Sequence, residues 1–136
     1  MVGSRNIDTN PKSDDVKFIY DTLDKLNIKK IISGGARGVD TIAKNYTLLN
    51  RNIRLEEIIP NWKKNGKIAG IIRNGDIVKA SNLVIAFWDG KSSGTKNSIY
   101  RAIKAKKGLM VYVKTDKGFE RTYEFDTHKT LHDYFE

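Results

Sequence analysis

Leu83-Val84-Ile85-Ala86-Phe87-Trp88-Asp89-Gly90-Lys91-Ser92-Ser93-Gly94-Thr95 is the stretch on which the reading of this 136-residue chain turns. Six apolar residues in unbroken succession, bounded by Asn82 and Asp89-Gly90, predict a central strand covered on both faces. The hydroxyl-rich loop behind it leads into Ile99, Ala102 and Ile103 at helical spacing, with Lys96, Lys104 and Lys107 off that face. Strand, loop and helix follow in that order upstream as well. Lys30-Ile31-Ile32 enters Ser33-Gly34-Gly35-Ala36-Arg37-Gly38-Val39-Asp40, and a helix through Ile42, Ala43, Tyr46 and Leu49 follows.

Working outward, Val16, Ile19, Leu23 and Leu26 give residues 13–25 a helical stripe, with Ser13 or Asp14 able to cap it. Residues 54–59 read as a strand closed by Pro60. Residues 61–80 read as a helix through Ile68, Ile71, Ile72 and Val78, weakened by about 1 kcal/mol at each of Gly66, Gly70 and Gly75. Residues 109–113 form a further strand, which Thr115-Asp116-Lys117-Gly118 can fold into a hairpin with Tyr123-Glu124-Phe125. Alternating strands and helices define an α/β fold with a mainly parallel sheet and right-handed crossovers, and 136 residues suit one domain. In such sheets ligands sit beyond the strand C-terminal ends, where both glycine-rich loops fall.

Composition narrows the chemistry. The chain has no Cys, which removes disulfides, thiolate nucleophiles and Cys-ligated metal sites and suits a reducing cytoplasm. A 39% hydrophobic and 30% charged content is enough for a core, and no apolar run approaches the roughly 20 residues of a membrane span. The net charge of +9 is concentrated in residues 51–110, which favours a polyanionic partner, a phosphate ester or nucleic acid, over a neutral one; a solvated lysine-rich face is the other reading. His128 and His132 are four apart but lack the Glu of a HExxH pattern, so no metal and no cofactor is called for.

Gly34-Gly35-Ala36-Arg37-Gly38 lets the backbone approach an anion, with Arg37 as an added donor fork, or simply makes a tight turn. Ser92-Ser93-Gly94-Thr95 sets hydroxyls and amides at a second helix start, where Ser93 or Thr95 is otherwise an ordinary cap. Gly3-Ser4-Arg5 is a third small, hydroxyl and basic set, and Arg73-Asn74 lies within the basic block.

These segments, together with Asn61-Trp62, Gly66, Ala69-Gly70 and Phe87-Trp88-Asp89-Gly90, resemble in residue and order the YspA-like branch of the SLOG superfamily, named for the SMF/DprA and LOG proteins. The resemblance covers residues 1–113 and leaves 114–136 as a C-terminal extension. It implies a Rossmann-like three-layer sandwich that binds nucleotides or nucleotide-derived ligands. By motif position Gly3, Ser4, Arg5, Gly34, Gly35, Arg37 and Gly38 line one side. Gly90, Ser93, Gly94 and Thr95, next to Asp89, hold phosphate from the other. Asp40 anchors the loop or a ligand hydroxyl, and Arg73-Asn74 approach across the pocket.

Two departures from the family pattern matter. LOG enzymes carry a Glu three residues after the Thr, where this chain has Ser98, so no catalytic residue is assigned. The hydrophobic strand that precedes Gly-Ser-Arg in the family is reduced to Met1-Val2, so either the chain is shortened at its N-terminus or another segment or a neighbouring subunit takes its place. The expected function is capture of a nucleoside monophosphate, an ADP-ribose-like molecule or a cyclic nucleotide by a cytoplasmic, homo-oligomeric sensor or sequestering protein. The alternatives are a phosphoribohydrolase, which would use Asp40 or Asp89, and DprA-like binding of single-stranded DNA, with Tyr46, Trp62 and Trp88 as stacking candidates.

Overall fold

The computed structural model describes residues 1–125; His128 and His132 lie outside the described residues. The first helix, α1 (Asp14–Asp24), is capped by Ser13, whose Oγ accepts from the Val16 amide at 3.2 Å. Asp14 and Asp15 in its first turn suit the helix dipole, and Val16, Ile19 and Leu23 form its buried stripe. The chain then runs through β2 (Lys30–Ser33), α2 (Val39–Leu49) and β3 (Arg54–Glu57).

The helix expected over residues 61–80 is broken. Gly66, at φ +59°, caps a single turn, α3 (Trp62–Asn65), by donating its amide to the Trp62 carbonyl. A 3-10 turn (Gly66–Ile68) then leads into α4 (Ala69–Ala80). The left-handed backbone at residue 66 is open to Gly and ends one helix before the next begins.

The strand β4 (Leu83–Trp88) has the expected bounds and both faces covered. Val84 and Ala86 pack with Ile77, Ile99, Ala102 and Ile103, while Ile85 and Phe87 pack with Ile19, Leu23, Val39 and Ile42. This explains the absence of polar alternation in its sequence. It is followed by α5 (Ser93–Lys104) and by an antiparallel hairpin, β5 (Gly108–Thr115) and β6 (Gly118–Phe125), longer at both strands than the sequence reading.

The fold is mixed α/β, with a four-stranded sheet of order β1-β4-β5-β6 and a separate parallel pair, β2-β3. The strand β1 (Val2–Gly3) pairs with Ala86 and Phe87 of β4. The two sheets meet through the Met1 amine, which donates to the Ile32 carbonyl at 2.8 Å. Below Met1, between β2 and β4, a cavity of about 600 Å³ is walled by Leu23, Ile28, Ile31, Leu83 and Ile85. Of the alternatives for the shortened strand, filling by another segment is not seen among the described residues.

Just beyond β1 the chain is tightly packed. The Ser4 carbonyl accepts from the Val39 amide at 3.3 Å, and a Cβ on Gly38, itself at φ +78°, would fall 2.4 Å from that carbonyl oxygen. Gly38→Ala combines left-handed strain with a backbone collision, so it should lower unfolding free energy by about 2 kcal/mol or more, measured by urea titration.

Burial of the Met1 amine lowers its pKa from 8.0 to about 6, against the pull of Asp40. Between those values the unfolded chain binds more protons than the folded one, so stability rises with pH through that window and the full penalty applies below it. The contribution is on the order of 2–3 kcal/mol. The melting temperature of the chain beginning at Met1 should therefore climb from pH 6 to 8, and acetylation of the amine should flatten the climb.

Candidate functional site

The start of α5 is held open by the loop before it. Asp89 Oδ1 accepts from the amides of Lys91 and Ser92 at 2.9 and 2.7 Å, and the Trp88 indole donates to the Ser92 carbonyl at 3.0 Å. Burial alone would raise the Asp89 carboxyl, but bonds from these amides and from the Ser4 and Asn6 side chains outweigh it and hold the pKa below the ordinary range. Ser92 occupies the N-cap without a capping side-chain bond, so the first-turn amides of Ser93, Gly94 and Thr95 have no partner within the helix. They border a cavity of about 460 Å³, with Ser93 and Gly94 exposed and Thr95 buried.

Across this cavity stands α4. Asn74, 9% exposed, donates from Nδ2 to the Gly94 carbonyl at 3.3 Å and accepts at Oδ1 from Arg73 Nε at 3.1 Å. Arg73 Nη1 donates to the Gly34 carbonyl at 2.8 Å. A single chain of hydrogen bonds, Gly34 to Arg73 to Asn74 to Gly94, thus joins the two glycine-rich loops. Burial lowers the Arg73 pKa, Asp40 raises it and Arg5 lowers it again, which places three charged groups close together at one cavity wall.

Asp40 shapes the first loop. Its Oδ2 accepts from the Ala36 amide at 3.0 Å, and the Gly34 amide also turns towards it. Burial raises its pKa against these bonds and the positive charges of Met1 and Arg73. Loop amides that could have faced an anion are thereby directed to a resident carboxylate. A second cavity of about 480 Å³ opens on the other side of Arg73, over Gly34, Gly35 and Arg37.

The residues predicted from sequence divide as follows. Gly3, Arg5, Asp40, Arg73 and Asn74 line the first cavity, as do Asp89, Ser93, Gly94 and Thr95. Gly34, Gly35 and Arg37 line the second, which shares Arg5 and Arg73 with the first. Ser4, Gly38 and Gly90 line neither. Ser4 is 1% exposed, and its Oγ accepts from the Asp89 amide at 3.0 Å and from Ser92 Oγ at 3.3 Å, so it ties β1 to the loop before α5. Ser98 borders the first cavity and donates from Oγ to the Gly94 carbonyl at 3.3 Å.

Sequence reasoning missed Val2, Asn6 and Ile77 in the first cavity and Ile59 and Pro60 in the second. Proximity to Gly3-Ser4-Arg5 could have suggested Asn6; nothing in the spacing of Ile59 distinguishes it from a core isoleucine. Among the described residues there is no cluster of His, Cys, Asp or Glu able to hold a metal and no helix long and apolar enough to cross a membrane.

No family model matches the chain, and no solved structure matches it. The Gene 61 protein of Mycobacterium phage D29 is 36% identical over 80 residues, a stretch covering 55% of this chain. The chain spans 64% of that relative's length.

Proposed function

We propose that this chain binds a phosphate-bearing nucleotide or nucleotide-derived ligand, with the phosphate on the first turn of α5, and acts as a sensor or sequestering protein. The observation that carries the reading is the uncapped start of a twelve-residue helix opening into a cavity whose other wall bears Arg5 and Arg73. Unpaired amides and the positive end of the helix dipole attract a dianion, and the guanidinium groups add charge-assisted donors.

The resemblance to the YspA-like branch of the SLOG superfamily supports the same assignment. The Ser-Gly-Gly-Ala-Arg-Gly loop and the Ser-Gly-Thr loop lie at C-terminal ends of parallel strands, as a Rossmann-like three-layer arrangement requires. Nucleoside monophosphates, ADP-ribose-like molecules and cyclic nucleotides share the phosphate this site would take.

A second reading is hydrolysis of the N-glycosidic bond of a nucleoside monophosphate. It is favoured by Asp40, whose raised carboxyl borders the first cavity and could hold a proton for a leaving base. Release of free base from AMP-type substrates, lost in Asp40→Asn, would support it. The DNA alternative is weakened at its stacking platform, because Tyr46 is 3% exposed and Trp88 packs against the core, leaving Trp62 of the three candidates.

Ser93→Asp separates binding from folding. A carboxylate at the first position of α5 complements the helix dipole, so the variant should be as stable as the wild type or more so by about 0.5 kcal/mol. The same carboxylate occupies and repels the phosphate position. Saturating AMP, ADP-ribose or a cyclic nucleotide should raise the wild-type melting temperature by several degrees and leave Ser93→Asp unmoved. Failure of all three to stabilise the wild type would overturn the reading.

A further inference from the structure

We infer that the second cavity, walled by Ile59, Pro60 and Trp62, is the subsite for the planar base of the nucleotide whose phosphate sits at α5. This rests on the phosphate reading above and specifies where the rest of that ligand lies.

The two cavities adjoin. Arg5, Ala36 and Arg73 line both, so a ligand anchored at α5 would pass Arg73 to reach the Gly34-Gly35 surface. The second cavity adds large apolar side chains that face solvent beside these arginines: Trp62 is 52% exposed and Ile59 is 60% exposed. Exposed apolar surface next to a polar site is the arrangement expected where an aromatic ligand group completes the packing.

Trp62 is placed for this by local geometry. Asn61 Oδ1 accepts from the Lys64 amide at 3.0 Å, and the Gly66 amide returns to the Trp62 carbonyl, so the turn presenting the indole is closed at both ends. Trp62 lies against α4 at Gly70, where a Cβ would sit 3.6 Å from the ring, in ordinary contact. Ile59 lies over Gly35, with its Cδ1 2.4 Å from the position a Cβ would take there. The base would stack on the indole beside this isoleucine. Arg5, Arg37 and Arg73 at the cavity edge offer donors to its ring nitrogens and carbonyl oxygens.

The test compares the four 5′-mononucleotides AMP, GMP, CMP and UMP with ribose 5-phosphate, which keeps the phosphate and sugar but has no base. Dissociation constants are measured by calorimetry on the wild type, Trp62→Ala and Trp62→Phe. Wild type should bind the best nucleotide at least tenfold more tightly than ribose 5-phosphate. Trp62→Ala should lose about tenfold of nucleotide affinity, Trp62→Phe should retain most of it, and ribose 5-phosphate affinity should be the same in all three. Nucleotide affinity within twofold of wild type in Trp62→Ala, or equal binding of ribose 5-phosphate and nucleotides by the wild type, overturns this inference while leaving the phosphate site standing. Binding of none of the five compounds overturns this inference, and the phosphate reading falls with it when ADP-ribose and a cyclic nucleotide also fail to bind.

Discussion

Four consecutive residues, Met1 to Ser4, hold this structure together through their backbone. The Met1 amine reaches Ile32 of β2, and Val2 and Gly3 pair with Ala86 and Phe87 of β4. The Ser4 amide donates to the Phe87 carbonyl, and the Ser4 carbonyl accepts from Val39 at the start of α2. The Ser4 hydroxyl then receives the Asp89 amide. Both sheets, and the loops that lead into α2 and α5, therefore converge on a strand of two residues. A sheet normally distributes such links over five or six residues per strand. Here few bonds carry the connection, and one of them uses an amine whose charge burial disfavours.

The convergence also explains the uneven legibility of the chain. β4 could be read to the residue because burial on both faces removes every polar position from its sequence, and α1 because its cap and apolar stripe are local features. The break at Gly66 was visible only as a lowered helix propensity, since propensity records cost and not the φ +59° that makes a glycine a terminator. The separation of β2-β3 from the other strands was beyond periodicity altogether. Strand pairing is a tertiary property without a signature in β2 or β3 themselves.

Within the site, the glycine-rich loops and their flanking cations could be found from sequence, but their roles could not. Both loops read as equivalent amide-rich turns. In three dimensions Asp40 engages the Ala36 and Gly34 amides of the first, whereas the Asp89 carboxylate binds Lys91 and Ser92 and leaves the following amides of α5 without a side-chain cap. An acidic residue two positions after Gly38 and one immediately before Gly90 look alike as letters. Only their placement relative to the helix start decides which loop retains its positive potential.

Charge follows the same logic. The excess of +9 favours a polyanionic partner or a solvated lysine-rich face, yet the cations that border the two candidate cavities are Arg5, Arg37 and Arg73. Arg73 is further constrained because it already bonds Gly34 and Asn74, so its guanidinium serves first as the strut between the loops and second as a ligand donor. A residue with both duties couples shape to charge: moving Arg73 to meet a phosphate would loosen Gly34 on one side and Gly94, through Asn74, on the other. A phosphate bound as proposed would therefore be better met by the α5 amides, which move nothing when they are engaged, and Arg73 would contribute chiefly by holding the two loops together.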